Sequence, residues 1–269
     1  MLLKRHLPGA FQWRPLYLYD LIKELVSRDM KILYKRSALG VAWTLINPLL
    51  QLVVFSFVFR GVLSVNISRY AASYASFAFS GLLVWTWFQT SLHHATGLIT
   101  SNRPMIRLPG FPVPILPIVT VTTGMIHFLL ALPVLLIFLA IDGVRPTPAL
   151  LVLPLLLVLQ FGLTLSLAYP LAALNVTFRD TQHTLGVLLQ MLFYMTPIFY
   201  DINNVPERLQ WVYHLNPMVS LLEAYRTILL QATLPKGGEL LVLSLIIVVL
   251  LPLGYQIFKR QSDRFVEEL

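Results

Sequence analysis

The stretch Arg28–Leu50, RDMKILYKRSALGVAWTLINPLL, sets Arg28, Lys31, Lys35 and Arg36 directly against an apolar run that starts at Val41 and is interrupted by Asn47-Pro48. Cations that stop where the apolar residues begin are the pattern of a chain entering a bilayer from its cytoplasmic side. Upstream, Leu18, Leu21, Ile22, Leu25 and Val26 recur at helical spacing while Asp20, Lys23, Glu24 and Arg28 take the other face. That spacing predicts an amphipathic helix over 16–36 lying in the membrane interface. Downstream, a proline within a helix removes a backbone hydrogen bond and collides with the preceding turn, so a kink or restart is expected at Asn47-Pro48.

The composition carries this reading to the whole chain. Apolar residues make up 57% of it, charged residues only 12%, and the mean hydropathy is +0.74, against about 25% charge in an ordinary soluble domain. A crossing helix needs about 20 mostly apolar residues. Six stretches between charges qualify: 41–63, 74–98, 115–141, 149–174, 181–200 and 239–258. The predicted fold is an all-α integral membrane protein, a single domain with six transmembrane helices. With the N-terminus inside, fourteen of the twenty Lys and Arg fall on the cytoplasmic side, eight of them ahead of the first span. Both termini, including the tail 259–269, are therefore expected in the cytoplasm of a cell whose cytoplasmic (inner) membrane holds the chain. The net charge of +8 does not point to nucleic acid, because the cations flank apolar runs and do not gather on a soluble face. Zero cysteines exclude disulfides and thiolate chemistry. Residues 1–20 lack the apolar centre of a secretory signal, so no cleavage is expected.

Two segments have a helical or broken pattern without the length to cross. In 201–236, Asn216 is placed as an N-cap with Pro217 at the first helical position. Met218, Leu221, Leu222, Tyr225 and Leu229 then form one stripe, with Glu223 and Arg226 off it. This reads as a pair of helices, re-entrant or capping a pore, on the outer side, with Glu207, Trp211, Asn216, Pro217, Glu223 and Arg226 as candidate gate residues. After the second span, prolines at 104, 109, 112, 114 and 117 break the chain into a short interfacial element over 100–112 on which a cytosolic partner can press.

The search for chemistry is mostly negative. There is no G-x-x-x-x-G-K-[ST], no G-x-S-x-G and no H-E-x-x-H, so ATP is not held in the P-loop manner and the best-marked serine and zinc hydrolases are excluded. His93 and His94 are adjacent and point about 100° apart on a helix, which is poor for shared metal ligation. Packing is the expected role of His127. No catalytic residue, metal site or cofactor is predicted for this chain. All twelve Asp and Glu lie outside the apolar runs or at their ends, unlike an ion-driven carrier. The runs do hold many of the chain's 32 aromatic rings. A lumen of rings and hydroxyls suits a neutral, many-hydroxyl polymer, and Trp43, Asn47, Trp85, Tyr194 and Tyr200 are the candidate channel residues. Trp85 and Trp87 are two apart, so at most one of them lines a shared lumen.

The opening stretch resembles the N-terminal signature of ABC-2 type permeases that export polysaccharides, R-D-x-K-x-x-Y-K-R-S-x-L-G-x-x-W-x-x-x-N-P. Further pieces resemble the same family in the expected order: RLPGFPVPILPI, FRDTQHTLGVLLQMLFYMTPIFY and VPERLQWVYHLNPMVSLLEAYR. The likeness covers essentially the whole chain, nearest to O-antigen and teichoic-acid exporters and less near to capsule exporters. It implies a homodimer with a channel for a lipid-linked polysaccharide, worked by two copies of a separate ATPase subunit that binds ATP and Mg. Arg28, Lys35, Arg36, Arg103, Arg107, Phe111, Arg179 and Asp180 would then meet that ATPase. The sequence departs from the family pattern at Pro109-Gly110, where a charged or bulky pair is expected. An ABC-2 exporter of lipid or drug, and a membrane enzyme acting on lipid-linked sugars, are the alternatives; the latter would need a cluster such as Asp201, Glu207, Arg208 and His214 to assemble.

Overall fold

A computed structural model of the chain describes residues 15–35, 37, 39–63, 70, 72–262 and 265. Arg36, and Lys4, Arg5, Arg14, Arg69 and Arg264 of the orientation count, lie outside the described residues. Every regular element among the described residues is helical.

Helix α1, Pro15–Tyr34, buries Leu25 and Val26 and leaves Leu16, Tyr19 and Ile32 exposed. A 3-10 turn at Gly40–Ala42 leads into α2, Trp43–Ser56, which carries Pro48 in its interior and ends in a π turn over Phe57–Val62. The central helix α3, Tyr74–Thr96, begins at the N-cap Ser73. Two single-turn helices follow, α4 (Leu98–Ser101) and α5 (Arg103–Ile106), where Pro104 and the later prolines prevent a longer run. The long helices α6 (Ile115–Ile141) and α7 (Leu153–Thr177) come next, then α8 (Thr181–Met195). After them stand α9 (Glu207–His214), α10 (Pro217–Leu229) and the final long helix α11 (Gly237–Ser262).

Among the described residues, four helical stretches are long and apolar enough to cross a membrane: Gly40–Val62, Ile115–Ile141, Pro148–Thr177 and Gly237–Ser262. The remaining two stretches expected from the sequence differ for physical reasons. With 23 residues, α3 has the length, about 34 Å at 1.5 Å per residue, but Ser76, Ser80, Ser91 and Thr96 lower its apolarity. Those groups are tolerated because α3 is the core of the bundle, buried on nearly every side against α2, α6 and α7. Helix α8 has 15 residues, about 22 Å, and stops at Thr196-Pro197, short of the roughly 30 Å hydrocarbon layer.

Side-chain bonds define the two ends of the bundle. At the basic end, Arg28 donates to Asn102 Oδ1 at 3.2 Å, Tyr169 Oη donates to Pro114 O at 3.1 Å, and Tyr169 and Phe258 meet edge to face. At the opposite end, Asp142 accepts from the Ser73 amide and the Ser76 hydroxyl, and Thr147 donates to Ala232 O. The long helices thus alternate in direction. The tightest pairing is α7 with α11, where Gly254 lies against the Ser166 carbonyl and Gly162 against Ile247; small residues let two backbones approach where water exclusion cannot drive association.

Candidate functional site

Asn47 and Pro48, where the sequence predicts a kink, line a cavity of about 830 Å³ that runs from the basic end toward the middle of the bundle, walled by α1, α2, α3 and α6. Arg28 and Asp29 stand at its mouth, Trp43, Thr44 and Asn47 on the α2 side, and Thr86, Trp87, Thr90 and Ser91 on α3. Thr120, Thr123, Gly124 and His127 form the α6 wall.

Arg28 is committed at this mouth. Its guanidinium donates to Asp29 Oδ1 at 2.6 Å, to Asn102 Oδ1, and to Met105 Sδ at 3.0 Å, so α1 is tied to the short helices α4 and α5. The hydroxyls of Thr90, Thr120 and Thr123 donate back into their own helices, which leaves their oxygens able to accept. Thr44 Oγ1 and His127 Nδ1 are 3.2 Å apart and bridge α2 to α6. Trp87 Nε1 donates to Val121 O at 3.1 Å, fixing the indole in the wall. Gly124 is required there, because a Cβ would overlap Ser91 Oγ and Trp87 Cδ1.

Of the five candidate channel residues, the structure brings Trp43 and Asn47 into this cavity. Trp85 does not line it: it donates to Gln89 Oε1 and packs on Phe88 and Phe193, and the indole that α3 gives to the wall is Trp87. Tyr194 is exposed on α8 beside Phe193, and Tyr200 Oη sits between the Tyr194 carbonyl and Tyr213 Oη. Phe55, Phe59, Phe193 and Phe199 stack into a second aromatic group joining α2 to the end of α8.

The residues expected to meet a partner lie along the basic end. Lys35, Arg107, Arg179 and Asp180 are exposed, Arg103 is half-buried in α5, and Phe111 packs against the core. The departure at Pro109-Gly110 has a local cause. Gly110 has φ +80° and the Phe111 amide donates to Leu108 O, a β-turn with proline second and glycine third, where a side chain would strain the backbone.

In the outer segment, Glu207 and Trp211 are exposed on α9, while Asn216 caps α10 by accepting from the Met218 amide and donates to Thr196 Oγ1. Pro217 occupies the first turn of α10. Glu223 and Arg226, which stand off the apolar stripe, turn into the protein. Arg226 is fully buried, donates to Pro197 O and Ile198 O at 2.7 Å each, and lies over the Phe77 ring at 3.7 Å. Glu223 faces it at 3.5 Å and receives the Tyr70 hydroxyl. Burial lowers the Arg226 pKa from its ordinary range, and Glu223, Tyr70 and Asp201 counter that pull. The carbonyls so held belong to the non-helical segment that follows α8. Asp201 is buried and bonded to the Asn203 amide, whereas Glu207, Arg208 and His214 are exposed on α9, so the cluster a membrane enzyme would need does not assemble. Among the described residues no His, Cys, Asp and Glu group is placed to hold a metal.

Comparison with known proteins places this geometry in context. The sequence model of a family described as ABC-2 type transporter matches residues 20–230. The chain is 36% identical to the O-antigen export system permease protein RfbA of Myxococcus xanthus, over 95% of this chain and 98% of that one. It is 30% identical to the protein of the same name from Klebsiella pneumoniae, over 94% and 96%, and 21% identical to the polysialic acid transport protein KpsM of Escherichia coli, over 90% and 93%.

Proposed function

The chain belongs to the ABC-2 type transporter family, and from that premise we propose that it is the permease subunit of an ABC transporter exporting a lipid-linked polysaccharide of the O-antigen kind. The observation that carries the reading is similarity over nearly the whole chain with relatives named as O-antigen export permeases. The chain has no P-loop, and the energy is supplied by two copies of a separate ATPase subunit that hold ATP and Mg. The tie from Arg28 to Asn102 and Met105, the Gly110 turn, and Arg179-Asp180 form the surface that receives the ATPase stroke. We place both termini in the cytoplasm and the chain in the inner membrane as one of two identical subunits. On this view α3 and α8 complete six spans, and the exposed apolar faces of α2 (Leu50, Val53, Val54) and α8 (Val187, Met191, Tyr194) meet lipid, the second copy, or the polymer between them. Helices α9 and α10 close its outer end.

Deletion of the gene in its host tests this. Lipid-linked polymer accumulates inside the cell and the surface layer disappears, and both return with the intact gene. Normal surface polymer in the deletion strain, with no second permease present, ends the reading.

A further inference from the structure

The cavity between α1, α2, α3 and α6 lies within one subunit, and its volume falls in the range of about 300–1,000 Å³ typical of ligand sites. Its chemistry is selective. Arg28 is neutralised by Asp29 at 2.6 Å and its remaining contacts are taken by Asn102 and Met105, so an anionic group finds no free guanidinium there. The wall carries hydroxyl oxygens open as acceptors, the Asn47 amide, the His127 ring and two indoles. One group in it is unsatisfied: Ser91 Oγ is buried, 1% of the residue exposed, with no hydrogen-bond partner. An orphaned buried hydroxyl costs stability unless something fills its bonding capacity. A purely apolar occupant such as an isoprenoid tail would leave Ser91 and Asn47 unpaired, whereas a ligand that donates and accepts at every edge pairs them.

We propose that this cavity is a binding site for an uncharged, hydroxyl-rich oligosaccharide segment of the transported glycan, held in each subunit beside the route the polymer takes between subunits. The sugar face stacks against the Trp43 indole, and its hydroxyls bond Ser91, Asn47 and the threonine oxygens of α3 and α6. The site adjoins Arg28 and its partners on α4 and α5, so a bound segment touches the same residues that join the interface helix to the bundle. This assignment rests on the polysaccharide export reading.

The test uses the full chain assembled with its ATPase in lipid nanodiscs. The probe is the neutral oligosaccharide released by mild acid from the lipid-linked polymer of the producing strain, with sugar-free polyprenyl phosphate as the second arm. The oligosaccharide binds saturably, and Ser91→Ala weakens binding about fivefold, the loss of one neutral hydrogen bond. The same variant melts at or above the temperature of the parent, because it removes an unsatisfied buried group. Asn47→Leu weakens the oligosaccharide in the same way and leaves polyprenyl phosphate untouched. A merely structural Ser91 would give the higher melting temperature with unchanged affinity. That result, absence of saturable oligosaccharide binding, or binding of polyprenyl phosphate alone overturns the assignment. None of these outcomes touches the export reading, which falls separately if the deletion strain displays its polymer.

Discussion

Replacing Arg226 with methionine tests the outer network most severely. The side chain is fully buried, gives two 2.7 Å bonds to the Pro197 and Ile198 carbonyls, faces Glu223 at 3.5 Å and covers the Phe77 ring. Methionine keeps much of the stem volume, so the cavity term is small and the electrostatic loss dominates. Removing one partner of a buried charge pair costs about 3–5 kcal/mol, and each buried carbonyl left without a donor about 1–3 kcal/mol. These describe the same event, so about 4 kcal/mol is expected, or a melting temperature about 10 °C lower for a chain of this size. Thermal unfolding in nanodiscs, followed by tryptophan emission, measures it. Arg226→Lys keeps the charge but cannot span both carbonyls as a planar fork does, and falls between parent and Arg226→Met. In a Glu223→Gln background the loss from Arg226→Met shrinks by about half, since no carboxylate is stranded. A melting temperature within about 2 °C of the parent, or the same loss in both backgrounds, refutes the network as a source of stability.

Gly254→Val drives a branched side chain into the Ser166 carbonyl across the α7–α11 contact and lowers the melting temperature by about 5 °C or more, the cost of overpacking by roughly 2 kcal/mol. At Asp142, burial pulls the carboxyl pKa up, but the hydrogen bonds from Ser76 and Ser73 outweigh it and hold the pKa below its ordinary value. The depressed value means that the stabilisation is complete above the unfolded carboxyl range and is lost as pH falls through the folded value. Asp142→Asn therefore melts below the parent at pH 7, and the gap closes on acidification; a gap independent of pH contradicts the assignment. Gly110 has φ +80° with open space around its α-carbon, so Gly110→Ala acts through backbone strain alone, about 1 kcal/mol. Export measured by surface polymer falls while the melting temperature moves by less than about 4 °C; unchanged export removes the turn from the coupling surface.

The quoted stretch was legible because its signals are local: cations mark where α1 ends, a 3.6-residue period marks its face, and Asn47-Pro48 marks the part of α2 that lines the cavity. The choice between Trp85 and Trp87 was not local. Two residues apart, they face opposite ways, and only the packing of α6 through Gly124 decides that Trp87 forms the wall. Ser91 and the threonines of α3 and α6 carried no sequence signal beyond hydroxyls in apolar runs, since their roles follow from which helices become neighbours. Arg226 misled for a related reason. Off an apolar stripe it reads as surface, but its partners are carbonyls 28 and 29 residues earlier, in the non-helical segment that contains Pro197. That proline, with Gly81 making room beneath the guanidinium, is the signal that would have found it.

The central claim, that this chain moves a lipid-linked polysaccharide on the energy of a partner ATPase, is tested most directly by reconstitution. Proteoliposomes hold the chain and its ATPase with the nucleotide sites outward, and lipid-linked polymer from the producing strain is added to the outer face. The account predicts that ATP carries the polymer to the lumen, where it becomes protected from an added glycosidase, and that omission of either subunit or of ATP leaves it fully digestible. Steady ATP hydrolysis by the assembled complex with the polymer still fully digestible would contradict it.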